Sequence, residues 1–187
     1  MSFPKAFLIT FSILLFMFIL LLWYKITLWT MPLSAAQQQT FSFLQHDATL
    51  LLNYTVQEIS HLEDVHLVMK YADYLFYFLL MVMIAFGSMN YRHKDTFREW
   101  LKYGGIITVL LPGIIFILTL FFFNTIFTLF HLLFFPQGNW IFPSHSLLIQ
   151  TFPEEFFVRI SLFIFGLTVL SGILLLGSSF SWKKIPH

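Results

Sequence analysis

The chain has 187 residues, 58% of them hydrophobic and 10% charged, with ten Lys and Arg against nine Asp and Glu, a net charge of +1 and a mean hydropathy of +0.81. Soluble domains carry about 25% charged residues, so this chain cannot coat one globular domain and fits a polytopic membrane protein instead. Near-neutrality leaves no basic field for nucleic acid, and the absence of cysteine excludes disulfides, thiolate metal sites and a cysteine nucleophile.

The first apolar run covers about residues 6–24, enough to cross a hydrocarbon core roughly 30 Å thick. It exceeds the apolar region of a signal peptide, and Ser34-Ala35-Ala36 comes too late to be its cleavage site. It reads as an uncleaved span. A more polar segment, residues 25–70, follows. In it Gln37, Gln38 and Gln39 read as a solvated loop, and Asn53-Tyr54-Thr55 as a chance sequon. Ser60 and Glu63 match a capping box, which predicts His61 as the first residue of the second helix. The segment His61 to His66 superficially suggests a metalloprotease, but histidines five apart lie about 140° apart around a helix rather than on one face. That motif is rejected. Asp64 lies one turn from His61, although a carboxylate there is more often solvated than a histidine partner. His46, His66, Asp73 and His145 have no evident partner.

The second span covers residues 71–89, with Tyr71, Tyr74 and Tyr77 on one helical stripe that reads as packing. A short basic loop leads to the third span, residues 104–128, whose apolar character continues to Phe135 before Pro136 and Gly138 stop it. A second polar segment, residues 131–154, contains Trp140 and Phe142, which with Trp23 read as interface-belt aromatics. The fourth span covers residues 155–180, and Thr151-Phe-Pro-Glu154 marks its start with an N-cap, an early proline and an N3 carboxylate. If the amino terminus is inside, seven cations (Lys5, Arg92, Lys94, Arg98, Lys102, Lys183, Lys184) lie inside and three (Lys25, Lys70, Arg159) outside. The expectation is one integral membrane domain, all-α, with four spans, both termini cytoplasmic, and a small extracytoplasmic cap made by residues 25–70 and 131–154.

Depth then singles out two histidines. At ~1.5 Å per residue, His61 lies roughly 46 Å along its helix from Arg92, and His131 roughly 44 Å from Lys102. The short loop makes the two helices antiparallel neighbours, so both histidines reach the level of outer-leaflet headgroups and ester bonds. The helix macrodipole would disfavour a cation on His61 at a helix start and favour one on His131 near a helix end. On that effect alone His61 would be a base and His131 an acid, whereas an Asp64 carboxylate bonded to His61 would raise its pKa and could cancel the dipole, so the roles stay open. No G-x-S-x-G elbow, H-E-x-x-H or phosphate-binding glycine loop occurs.

His61-Leu-Glu-Asp64-Val65, a span, a basic loop, a span, Phe130-His131-Leu-Leu-Phe-Phe, Asn139-Trp140 and Leu148 to Phe157 together resemble the bacterial lipoprotein intramolecular transacylases. The resemblance is most specific over residues 60–66 and 127–157. Where that family tends to carry an acidic residue ahead of the Leu-Ile, this chain has Ser144-His145-Ser146. What the resemblance implies is an acyltransferase of the cell membrane, working at the outer leaflet on lipoproteins with an S-diacylglyceryl amino-terminal cysteine. The sn-2 acyl chain would move to that cysteine's α-amino group, leaving a lyso-form lipoprotein. The family's two functional histidines fall on His61 and His131, and no cofactor or metal is implied; Asp64 and Trp140 are read beside them as supporting residues. Two other readings stand beside it. One is a metal-dependent membrane hydrolase with His61, Asp64 and His131 as ligands; the other is a non-enzymatic membrane subunit that only binds partners.

Overall fold

The computed structural model describes residues 4–46 and 48–181. The inner tail expected at residues 182–187, with Lys183 and Lys184, lies outside the described residues. Six helices follow in order: α1 (Lys5–Thr30), α2 (Ala35–His46), α3 (Val56–Asn90), α4 (Lys94–Phe134), α5 (Leu147–Thr151) and α6 (Glu154–Ser181). No strand occurs among the described residues. Four of them, α1, α3, α4 and α6, are long and apolar enough to cross a membrane.

The long helices outrun the apolar segments that announce them. α3 has 35 residues and α4 has 41, roughly 52 and 62 Å at ~1.5 Å per residue. Both exceed a hydrocarbon core of about 30 Å. Their far ends, away from the Asn90–Lys94 turn, gather with α2, α5 and the loops in a cap. Residues 37–39 belong to α2 rather than to a loop. Ser34 caps that helix, its backbone N–H donating to Gln37 Oε1 at 2.9 Å and its Oγ accepting from Gln37 N.

Glycine decides which helices touch most closely. A methyl at Gly105 would fall 2.8 Å from Leu176 Cγ and 3.0 Å from the Gly172 carbonyl oxygen, and one at Gly172 would fall 2.9 Å from α4 backbone at Thr108 and Val109. On the neighbouring face, Leu15 occupies the space of a Gly104 side chain, at 2.7 Å. Small residues let helix backbones approach where lipid gives no hydrophobic drive. So α4 packs along α6 and α1, and α3 packs chiefly on α1 and α2, meeting α4 at few positions. The expected side-by-side pairing of the second and third spans is replaced by this arrangement. The stripe Tyr71, Tyr74 and Tyr77 is exposed rather than packed, because α3 turns that face away from the bundle.

Two cores result. One, near the turn, gathers Leu8, Leu15, Ile19, Met83, Phe86, Trp100 and Leu101. The other lies under the cap and gathers Leu44, Tyr54, Leu62, Leu148, Phe152 and Phe156. Two polar pairs tie helices together: Trp23 Nε1 donates to Ser171 Oγ at 2.8 Å, and Lys25 Nζ to Asp73 at 2.7 Å. Trp23 is thus an interhelical tie, and Asp73 has its partner. His66 also has one, the Leu44 carbonyl 3.0 Å from Nδ1.

Candidate active site

The start of α3 differs from the Ser60–Glu63 expectation. Two S/T-x-x-E patterns overlap here, Thr55 to Glu58 and Ser60 to Glu63, and the first one is used. Thr55 Oγ1 accepts from Glu58 N, and Glu58 Oε2 accepts from Thr55 N at 2.7 Å. The second carboxylate oxygen decides the choice. Glu58 Oε1 accepts from Leu148 N at 2.8 Å, at the start of α5, and Glu58 is 1% exposed. One buried carboxylate thereby caps α3 and fastens α5 to it. His61 becomes the sixth residue of its helix, past the first turn to which the macrodipole effect is confined.

At the other wall, α4 loses helical geometry at Phe122 (φ −137°, ψ 38°) and then carries Phe127 and His131 in its last turns. His131 Nδ1 lies 2.8 Å from the Phe127 carbonyl. A carbonyl can only accept, so Nδ1 carries the proton and the lone pair of the neutral ring is at Nε2. The helix ends at Phe134, and the chain turns at Pro136 to Gly138, where Gly138 takes φ +79°. That left-handed residue needs no Cβ. It brings Gln137, Asn139 and Trp140 back over the site.

The structure brings His61 and His131 together. Their ring centroids are 5.9 Å apart with planes at 28°, and the residues are 6% and 8% exposed. Aromatic rings enclose them. Phe135 and Phe142 lie 4.8 and 5.7 Å from His61; Phe127, Trp140 and Phe130 lie 4.1, 4.8 and 5.6 Å from His131. Trp140 and Phe142 therefore line this enclosure instead of serving only as belt residues. Asp64 is not hydrogen-bonded to His61, although its charge acts on that ring. Its Oδ2 accepts from Gln137 Nε2 and Asn139 Nδ2, each at 2.6 Å. Asn139 Nδ2 also reaches Ser60 Oγ at 3.3 Å, and its side chain lies beside His61. Asp64 thus anchors the turn that carries Trp140.

Among the described residues no three His, Asp or Glu side chains are grouped to hold a metal ion. The set His61, Asp64 and His131 does not converge, because the Asp64 oxygen that bonds in the site faces the two amides. His145 sits in the turn before α5, where its carbonyl accepts from Gln150, and His46 ends α2; neither joins the pair. Glu58, Gln137, Phe127 and Phe135 went unrecognised in the sequence. For Glu58 the signal was present, a second capping box, but its buried partner Leu148 is 90 residues away.

α6 starts at Glu154, within the stretch that Thr151-Phe-Pro-Glu marks. Thr151 is not its N-cap, however: its Oγ1 donates to the Leu147 carbonyl at 2.8 Å, because residues 147–151 form a helix of their own.

Comparison with known proteins gives three findings. A family profile described as lipoprotein intramolecular transacylase Lit matches residues 6–157. A protein of Aquifex aeolicus (strain VF5) is 32% identical over 131 residues, 70% of this chain and 58% of that relative's length, so the chain spans under two thirds of it. In solved structures, the in meso structure of the membrane integral lipoprotein intramolecular transacylase Lit from Bacillus cereus shares the fold. Its TM-score is 0.75 at 22% identity, covering 96% of this chain and 92% of that one. A histidine-to-arginine variant of the same Bacillus protein gives 0.67 at 20% identity, covering 95% and 90%.

Proposed function

The chain belongs to the lipoprotein intramolecular transacylase family, a family of membrane acyltransferases, and from that premise we propose its substrate and the parts its residues play. The substrate is a bacterial lipoprotein whose amino-terminal cysteine carries an S-diacylglyceryl group. The sn-2 acyl chain passes to the α-amino nitrogen of the same cysteine, giving an N-acyl, S-monoacylglyceryl product. Donor and acceptor lie in one molecule, so their proximity comes with the substrate. What remains for the protein is to hold the ester and to move one proton.

The observation that carries this reading is the facing pair of buried histidines, 5.9 Å apart inside an aromatic enclosure. The His131 Nδ1–H bond to Phe127 leaves Nε2 as the ring's lone pair, so His131 takes a proton from the attacking amine. An α-amino group titrates near 7.7–8.0, so at neutral pH the ammonium first releases its extra proton to solvent, and His131 takes the one that the neutral amine loses on attack. His131 then delivers the proton to the departing glycerol oxygen, which His61 holds. This replaces the helix-dipole assignment of roles, whose basis at His61 is removed by the earlier start of α3. Asp64 positions the turn bearing Asn139 and Trp140. The seven-to-three distribution of cations supports cytoplasmic termini and a site at the outer leaflet, where the lipid ester lies.

The test is expression in a cell that lacks other lipoprotein N-acylation, followed by mass spectrometry of one lipoprotein's amino-terminal peptide. Wild type should give the N-acyl, S-monoacylglyceryl cysteine, while His61→Ala and His131→Ala should leave diacylglyceryl-cysteine with a free amine. An unchanged peptide with wild-type protein in the membrane would refute the reading, and active histidine variants would remove the pair from it.

A further inference from the structure

Attack of the amine on the ester carbonyl forms a C–N bond and moves the carbonyl π pair onto oxygen. The tetrahedral intermediate therefore carries an oxyanion. When it collapses, that pair returns, the bond to glycerol breaks, and the glycerol oxygen takes the proton the amine lost. Substrate and product are isomers, so nothing else is consumed. The intermediate nevertheless needs a hydrogen-bond donor aimed at its oxygen.

The donors at this site can be counted off. His131 Nδ1–H is held by the Phe127 carbonyl at 2.8 Å. Gln137 Nε2 is held by Asp64, and Asn139 Nδ2 by Asp64 and Ser60. The His61 ring N–H serves the glycerol oxygen in the reading above, and one further buried donor at this site has no partner. Trp140 Nε1 is buried and has no hydrogen-bond partner, although the indole as a whole is only partly covered. The ring thus shows part of itself outward and turns its N–H inward. Its centroid lies 4.8 Å from that of His131. Folded proteins seldom leave a buried donor unpaired, and each such group needs an explanation. Here the unpaired groups cluster: of five such side-chain atoms among the described residues, three (His61 Nδ1, Asn139 Oδ1 and Trp140 Nε1) are in this site.

We propose that Trp140 is a catalytic residue whose indole N–H stabilises the oxyanion of the acyl-transfer intermediate. The proposal rests on the transacylase reading above and adds to it the group that bears the developing charge. An ester carbonyl attacked by an amine within hydrogen-bond reach of His131 Nε2, about 3 Å, would lie against the indole that packs on that ring. Asp64, through Asn139 and Gln137, holds the turn that keeps the indole there. The unpaired N–H is then a feature of the free protein, and the substrate oxygen supplies its partner.

The experiment compares wild type with Trp140→Phe, in lipid nanodiscs, on a synthetic diacylglyceryl lipopeptide, with initial rates followed by mass spectrometry. A third protein replaces Trp140 by β-(3-benzothienyl)alanine, which keeps the bicyclic shape and lacks the N–H. Loss of one oxyanion donor typically lowers kcat by about 10²–10³-fold. We expect that fall in kcat for both variants, with KM within about twofold. The benzothienyl protein should melt at or above the wild-type temperature, because a buried unpaired donor has been removed. A merely structural indole predicts the opposite pattern, wild-type kcat for the benzothienyl protein and a lower melting temperature only for Trp140→Phe. Wild-type kcat in the benzothienyl protein overturns the proposal alone. An inactive wild type overturns the transacylase reading and this proposal with it.

Discussion

Replacing Glu58 by Gln should loosen the cap without touching the histidines. The Glu58 carboxylate is 1% exposed and accepts from two backbone amides, Thr55 N at 2.7 Å and Leu148 N at 2.8 Å. An amide side chain keeps one acceptor oxygen and turns an N–H₂ group toward the other backbone donor. The change thus removes one charge-assisted bond and leaves a buried N–H unpaired, a loss of about 2–3 kcal/mol. In a chain of this size each kcal/mol moves the melting point by ~2–4 °C, so the shift should be roughly 4–12 °C downward. Tryptophan fluorescence during a thermal ramp in detergent measures it. Hydrogen exchange should quicken at residues 147–151, which lose their attachment to α3, while the α4–α6 interface stays protected. Activity per folded molecule should fall far less than in the histidine variants. A melting point within about 2 °C of wild type, with unchanged exchange in α5, would show that this carboxylate does not hold the cap.

Further outcomes follow from the same geometry. Gly138→Ala meets nothing within 4 Å but must keep φ +79°, so it should destabilise by about 1–2 kcal/mol and displace Trp140, seen as a drop in transacylation larger than the melting shift explains. Gly172→Ala drives a methyl into α4 backbone at 2.9 Å and should cost about 1–3 kcal/mol, whereas Gly87→Ala, with nothing within 4 Å, should be neutral or stabilise by up to about 1 kcal/mol; parallel melts compare the two. Treatment of the purified protein with a chelator should leave the rate of N-acylation unchanged, since no ligand set converges among the described residues; a lost rate restored by a divalent metal would revive the hydrolase reading.

Much of the fold was legible because its signals are local. Runs of about 20 apolar residues mark the spans, and Pro136 and Gly138 stop α4 where the sequence places the stop. That the two histidines lie at a common level was legible for the same reason, being counted in residues from one turn, and their rings do meet. What escaped depends on contacts distant in sequence. Thr55–Glu58 and Ser60–Glu63 are equal as local patterns, and only the Leu148 amide separates them. Which helices pack closest was set by Gly104, Gly105 and Gly172, whose opposing surfaces no local pattern reveals. Trp140 and Phe142 have the composition of belt residues, and only the turn through Gly138 carries them onto the histidines. Asp64 could be placed beside His61 by its spacing, yet its two amide partners lie more than 70 residues further on.

Under the proposed transacylation, the same enclosure bears on why the ester should yield an amide rather than a free fatty acid. Hydrolysis needs water at the carbonyl, and a histidine able to take a proton from an amine can take one from water. The two rings are only 6% and 8% exposed, and Phe127, Phe130, Phe135, Phe142 and Trp140 stand around them. Closing a site to water suppresses such side reactions and strengthens each remaining electrostatic contact. The tethered amine, by contrast, arrives with the ester it attacks, at an effective concentration that free water near a phenyl wall does not match. In that proposed reaction, selectivity for aminolysis would come from the aromatic enclosure and the tether together, with chemistry that two histidines and one indole N–H can carry. A polar substitution in that wall, such as Phe135→Ser beside both rings, would act on this balance directly, raising the share of fatty acid released relative to N-acyl product.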